Sequence, residues 1–469
     1  MLPFKTLIVP DKKSAIPVYL QIANKFVTLI SEGTLKPGSA LPSTREMASL
    51  LQLHRKTIVA AYEELFVQDW IETIPRKGVL VSQHLPDIKP RIFKANKKRS
   101  AYGLATGFSL PDNILNSSFR INASGHRLII NDGFPDIRIA PVDLLVKEYR
   151  RLCHRPAVQR LAIYGEQAGS MNLRKELVRF LADTRGIDCQ PSNMLMSRGA
   201  QMSLFIAAGI ILRPGATVIV AEPNYHLADQ IFQQYGAKLV KVPVDHNGID
   251  VDMIEKICKK KKPDLLYIIP HHHHPTTVTL GGDRRMKLLQ LIRQYNLAVI
   301  EDDYDYDFHY SSSPILPLAS ADHGGNVIYI GSLTKTLSPS MRFGYMIAAE
   351  NFINEAIRLR RMINIRGDDL MEEALATLFH DGSMQRHLKK SVKLYHQRRD
   401  YLCALLKKEL GDVVSFEVPQ GGMAIWVKFN KKYSLPAISR KASQKGLYIS
   451  DGSAYNIGSV NQNAIRMGF

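Results

Sequence analysis

The sequence predicts an α/β protein with a small helical module at its front. Three observations carry this. Residues 41–65 read LPSTREMASLLQLHRKTIVAAYEEL, two short helical stretches parted by a turn. From about residue 126, helical segments alternate with short β-rich runs, the pattern of a mostly parallel sheet flanked by helices. Residues 331–345, GSLTKTLSPSMRFGY, set one lysine among hydroxyls and an arginine.

The composition is that of a globular chain, with 45% hydrophobic and 22% charged residues, and 469 residues leave room for two or three domains. A formal net charge of +19 favours a polyanionic partner, although a basic solvated surface has the same charge. Cys153, Cys189, Cys258 and Cys403 are scattered, without metal-ligand spacing and too sparse for a disulfide framework. The N-terminal MLPFKTLIVPDKKS lacks the apolar core of a signal peptide. The longest apolar stretch, Leu204 to Leu212, is too short to span a bilayer. The expectation is a cytoplasmic protein with no membrane partner.

Taken in order, residues 12–83 form the first domain. Tyr19, Ile22, Phe26, Leu29 and Ile30 repeat with a helical period. GTLKPGSALPS breaks that helix, and Ser43 with Glu46 forms a capping-box signature for a helix over Thr44–Leu51. A turn at Gln52-Leu53-His54 leads to a helix over Arg55–Gln68, and Trp70–Val81 reads as a hairpin tipped by Pro75-Arg76-Lys77-Gly78. Residues 84–125 read as a tether, with Lys89, Arg91, Lys94, Lys97, Lys98 and Arg99 close together. Residues 126–469 form the second domain, with a large part over about 150–350 and a small part over about 351–469. Its expected strands include Thr217–Ala221, Lys238–Val242, Leu265–Ile269, Ala298–Glu301 and Val327–Ile330.

Two helices around a short turn fit a helix-turn-helix, with the small Ala48 near the crossing. The start of the second helix carries His54, Arg55, Lys56 and Thr57, donors at the end that enters the major groove. Arg45 is placed to meet a phosphate, and Arg76 and Lys77 to enter the minor groove as a wing. Ordinary surface charge on a small helical domain is the bland alternative. The run GTLKPGSALPSTREMASLLQLHRKTIVAAYEELFVQDWIETIPRKGVLV is more specific and resembles the winged helix-turn-helix of GntR-type regulators. That resemblance implies double-stranded operator DNA as partner, contacted through Arg45, Arg55, Thr57 and the Lys77-Gly78 tip.

The second domain holds what pyridoxal phosphate requires. Its aldehyde needs an amine, its ring nitrogen a carboxylate, its phosphate backbone N–H groups, hydroxyls and an arginine, and its ring a flat partner. Lys335 supplies the amine, with Ser332 and Arg342 beside it for the phosphate. Asp302 follows an apolar strand and suits the ring nitrogen, and Tyr304 suits the phenolic oxygen. Gly199-Ala200-Gln201 opens an apolar helix, and Tyr225 is a stacking candidate. Singly, each also fits a bland role: a surface lysine, a glycine cap, or a solvated or metal-binding acidic loop over Glu301–Asp307. Their order and spacing together favour the cofactor.

The segments IYGEQAGSMNLR, SRGAQMSL, AEPNYHLADQIF, VIEDDYDYDF and GSLTKTLSPSMRFGYM resemble fold-type I aminotransferases over residues 126–469. With its front module the chain resembles the MocR-type regulators, related to GabR and PdxR. The resemblance implies a pyridoxal-phosphate domain used as a sensor, an internal aldimine on Lys335, and a head-to-tail homodimer. The expected function is a DNA-binding regulator that senses an amine, an amino acid or the cofactor itself. The alternative is an authentic aminotransferase with an accessory DNA-binding domain.

Two segments depart from the pattern. Where relatives carry Pro-x-x-Gln/Asn-aromatic-Pro-Thr-Gly, this chain reads Pro270-His271-His272-His273-His274-Pro275-Thr276-Thr277. Adjacent residues of an extended segment point different ways, so no metal site is expected, and one or two rings should line the effector pocket. The terminal AIRMGF resembles the strand whose arginine grips a substrate carboxylate, which makes Arg466 the candidate for an effector carboxylate. Relatives usually continue with a further helix, whereas this sequence stops at Phe469.

Overall fold

The computed structural model describes residues 2–11, 14, 16–75, 77–85, 106, 108–109, 125–154, 165–310, 315–456 and 460–469. Arg76 and the basic run from Lys89 to Arg99 lie outside the described residues. The chain divides into two compact units, Met1–Pro111 and Asp112–Phe469.

The first unit has four helices, α1 (Phe4–Leu7), α2 (Val18–Ser31), α3 (Thr44–Leu51) and α4 (Arg55–Val67), followed by β1 (Ile71–Ile74) and β2 (Gly78–Val81). The apolar stripe of α2 is buried at Ile22, Ala23, Phe26, Leu29 and Ile30. Phe26 lies between Phe4, at 5.9 Å between ring centroids, and Tyr62, edge-on at 5.8 Å. Phe4 and Ile8 are therefore core residues, and the packed unit reaches back well before residue 12. A core this small gains in proportion from each added apolar side chain. The Ser43 side chain accepts from the Glu46 N–H, and the Ser43 N–H donates back to Glu46 at 2.8 Å. Gln52, at φ 50°, ends α3 in the left-handed region. The hairpin pairs Ile71 with Val81 and Ile74 with Gly78.

The second unit is built on an eight-stranded sheet. After a short β3 (Leu128–Ile129), its strands in chain order are β4 (Met194–Ser197), β5 (Thr217–Glu222), β6 (Lys238–Asp245), β7 (Gly248–Ile249), β8 (Leu265–Ile268), β9 (Val299–Asp303), β10 (Val327–Ser332) and β11 (Gly344–Ile347). They lie in the order β4-β11-β10-β9-β8-β5-β6-β7. The run from β10 to β6 is parallel, while β11 and β7 pair antiparallel with their neighbours. Strand β9 is buried along its whole length, as expected where helices cover both faces.

Alternation sends successive side chains to two different cores. Val299, Leu266 and Tyr329 join the core that contains helix Met171–Arg185 and helix Asp369–His380. Ile300, Leu265 and Ile330 join the one that contains helix Ala200–Ile211. A third core lies in the C-terminal part, where β12 (Val414–Ser415), β13 (Ala424–Phe429) and, after β14 (Leu447–Tyr448), β15 (Ala464–Gly468) form an antiparallel sheet. The packing does not divide at residue 351. Leu375, Leu378 and Phe379 belong to the central-sheet core, while Ile130 packs with the C-terminal core and β3 pairs with β14. Among the described residues, no helix is long and apolar enough to cross a membrane.

Candidate functional site

A cavity of about 370 Å³ opens beside the β9–β10 region. Of the residues expected from sequence, Ala200, Gln201, Tyr225, Asp302, Tyr304, Ser332, Lys335, Arg342 and Arg466 all line it. Gly199 stands just behind, as the N-cap of helix Ala200–Ile211 at φ 82°.

Asp302 is not beyond its strand. It pairs with Ile330 inside β9, on the same face as Ile300, which directs it to the cavity side. Its neighbours go the other way. Glu301 accepts from the N–H groups of Leu318 and Ala319 at 2.7 and 2.8 Å. Asp303 accepts from the Tyr329 hydroxyl at 2.9 Å, and that hydroxyl accepts from Arg185 Nε at 3.0 Å. Arg185 also pairs with Asp307 at 2.9 Å. The acidic run is thus not a solvated loop. Glu301, Asp302 and Asp303 end strand β9 and serve opposite faces, and Asp305 and Asp307 follow in the bend and turn beyond it.

One Asp302 oxygen accepts from the Tyr267 hydroxyl at 2.8 Å, and the other is buried without a partner. Burial pushes this carboxyl up to about 7, against the pull of Tyr267. Lys335 follows β10. Its Nζ donates to the Gly133 carbonyl at 2.5 Å, and burial, with Arg466 nearby, lowers it to about 8. Helix Ala200–Ile211 has no side-chain cap at its N-terminus, where Ala200 and Gln201 line the cavity, so its first N–H groups are available to a ligand there. A Cβ on Gly199 would lie 2.8 Å from an Arg342 guanidinium nitrogen, which is why the loop approaches so closely.

These residues fit pyridoxal phosphate. The unpaired Asp302 oxygen suits a protonated ring nitrogen, the uncapped helix end with Ser332 and Arg342 suits the phosphate, and the half-buried lysine suits the aldehyde. Tyr304 donates to the His272 carbonyl at 2.8 Å and accepts from Arg466 at 3.0 Å.

The four histidines are all buried and part company. His271 bonds the Ile315 carbonyl, His272 bonds Asp305, His273 bonds Thr276, and His274 alone lines the cavity, 3.3 Å from Asp132. Burial holds the His273 ring down at about 3 and lowers His274 as well. Among the described residues no group of three or more His, Cys, Asp and Glu could hold a metal ion.

Sequence reasoning missed Asp132, Phe134, Thr334 and Tyr455 as lining residues. Asn131-Asp132-Gly133 is a turn signal, and a polar turn next to the expected sheet was the only available hint. Nothing local distinguishes Tyr455.

In the first unit Arg45, Arg55, Lys56, Lys77 and Gly78 are exposed, and Thr57 is half-buried. Arg55 reaches back to the Thr44 hydroxyl at 3.5 Å. His54 is not simply a free donor, because its Nδ1 accepts from the Lys56 N–H at 3.2 Å and caps α4. Gly78 has φ 90°, which the tip of the hairpin requires.

The chain matches the family model for aminotransferase class I and II over residues 140–469. It matches that for bacterial regulatory proteins of the gntR family over residues 18–81. It is 26% identical to the probable rhizopine catabolism regulatory protein MocR of Rhizobium meliloti, covering 99% of this chain and 92% of that protein. It is 27% identical to the uncharacterized HTH-type transcriptional regulator YdfD of Bacillus subtilis (strain 168), covering 95% and 91%. An archaeal alanine:glyoxylate aminotransferase structure superposes with a TM-score of 0.68 at 25% identity, covering 73% of this chain and 85% of that one. Pyridoxal phosphate is the cofactor of this fold family. The chain belongs to the class I and II aminotransferase family, and its gntR-family front gives it the domain arrangement of the MocR-type regulators it resembles.

Proposed function

We infer that this regulator senses a small amine or amino acid through Lys335. The observation that carries the reading is the half-buried lysine in one cavity with an unpaired Asp302 oxygen, on a chain whose first unit exposes Arg55 and Lys56. Bound in the cavity, pyridoxal phosphate supplies an aldehyde that holds a primary amine covalently. Asp302 orients its ring and keeps a proton at the ring nitrogen. Ser332, Arg342 and the start of helix Ala200–Ile211 hold its phosphate. Tyr225 would lie against the ring, and the Tyr304 hydroxyl would meet its phenolic oxygen by turning its proton away from the His272 carbonyl. Lys335 would hold the cofactor's aldehyde at rest, where an effector amine would compete with it.

Release of Lys335 changes the packing of the loop after β10. That change acts as a switch only if the effector binds one arrangement of the protein better than another. The DNA-contacting set is Arg45, Arg55, Lys56, Thr57, Arg76, Lys77 and Gly78, acting in the cytoplasm on operator DNA. A head-to-tail homodimer then reads two half-sites.

Because Lys335 and Asp302 are both retained, turnover as an aminotransferase is the second reading. Titration of purified protein with pyridoxal phosphate and then with amino acids, recording absorbance and operator binding together, separates the two. Effector-dependent change in DNA binding without keto-acid product supports sensing. Sustained turnover with unchanged DNA binding refutes it.

A further inference from the structure

Around Arg466 the cavity holds an arrangement that the reading above does not use. Arg466, 3% exposed, is the residue available to grip a carboxylate. Its guanidinium is already engaged by an acid of this chain. Asp132 Oδ1 lies 3.3 Å from Arg466 Nε and accepts from the Tyr455 hydroxyl at 3.1 Å. The other Asp132 oxygen lies 3.3 Å from His274 Nε2. Arg466 gives a second nitrogen to the Tyr304 hydroxyl, and only Nη1 is left without a partner.

A carboxylate approaching Nη1 would share one guanidinium with Asp132. Two carboxylates that close repel strongly where little water reaches. The acid and the arginine together carry no net charge, so this end of the cavity has lost the attraction a lone arginine exerts. A third of the Asp132 side chain remains open, so its oxygens can accept hydrogen bonds from a ligand in the cavity. Burial works against the Asp132 charge, but the His274 hydrogen bond, Arg466 and Lys335 hold the carboxyl below its ordinary range.

We propose that Asp132 sets effector specificity, and that the effector is a primary amine whose second recognised group is a hydrogen-bond donor, an ammonium or a hydroxyl, in place of a carboxylate. This rests on the reading of Lys335 as the cofactor-bound lysine.

The test uses the full chain loaded with pyridoxal phosphate and three matched pairs: alaninol against alanine, leucinol against leucine, and putrescine against γ-aminobutyrate. The readout is the apparent Kd from the change in visible absorbance of the lysine-bound cofactor. The donor-bearing member of at least one pair should bind tighter by about tenfold or more. Asp132→Asn, which keeps an acceptor for Tyr455 but removes the charge, should shift that ratio toward the carboxylate. A preference for the carboxylate members in the unaltered protein overturns the proposal. So does a ratio unmoved by Asp132→Asn in a variant that retains the absorbance band, or a band that none of the six compounds perturbs. Absence of the band in the unaltered, cofactor-treated protein instead overturns the role of Lys335, which keeps the two failures apart.

Discussion

The Lys335 amine should react with pyridoxal phosphate near neutral pH, and the structure sets how much faster than an ordinary lysine. Burial is the main reason this amine titrates at about 8 rather than 10.5, and the positive Arg466 adds to it, while Asp305 and Asp132 act the other way. The neutral amine is the nucleophile. At pH 7 a lysine titrating at 10.5 is neutral in about one molecule in 3,000, and one titrating at about 8 in about one in ten. The advantage is about 300-fold, or roughly 3 kcal/mol in the free energy of reaching the reactive form. Mixing cofactor-free protein with pyridoxal phosphate in a stopped-flow instrument, from pH 6 to 10, measures it. The rate should rise about tenfold per pH unit below 8 and level off above it. Arg466→Leu removes one of the two causes and should move the midpoint up by about one pH unit. A rate that climbs through pH 10 without levelling would show that the amine is not desolvated, and the argument would fail. Lys335→Ala should show no lysine-bound absorbance at any pH.

Three further outcomes test other parts of the chain. Arg55→Ala should weaken operator binding by about 1–3 kcal/mol while leaving random DNA nearly unaffected, and an equal loss on both would make it a phosphate contact. Ser43→Ala removes the α3 cap and should destabilise the first unit by about 0.5–2 kcal/mol in denaturant unfolding; an unchanged midpoint would mean the cap contributes nothing. Gly199→Ala forces a side chain into a backbone of φ 82° and toward Arg342, so cofactor affinity should fall at least about tenfold by equilibrium dialysis. Unchanged affinity there would remove that loop from the phosphate site.

Local chemistry wrote much of this molecule into its sequence. Ser43 and Glu46 marked the start of α3, and the helical period of Ile22, Phe26 and Leu29 marked the buried face of α2. The β-rich runs near residues 217, 265, 299 and 327 all became parallel strands. These signals work because capping and periodicity act over a few residues. Lys335, Asp302 and Arg342, expected from residue type and immediate neighbours to share a site, line one cavity.

The role of each acid between Glu301 and Asp307 was not legible, because only the sheet decides which face a side chain takes. Alternation in β9 gave Asp302 to the cavity and Asp303 to Tyr329. The same holds for the histidines, of which the fold selected His274 for the cavity. Asp132, His274 and the Tyr455–Arg466 stretch come from three distant parts of the chain, and no local pattern couples them. The sequence by itself determined the two kinds of domain, through short-range preferences. Only tertiary structure decided that Asp132 would meet Arg466, since that contact is made by pairing between strands and loops more than 300 residues apart.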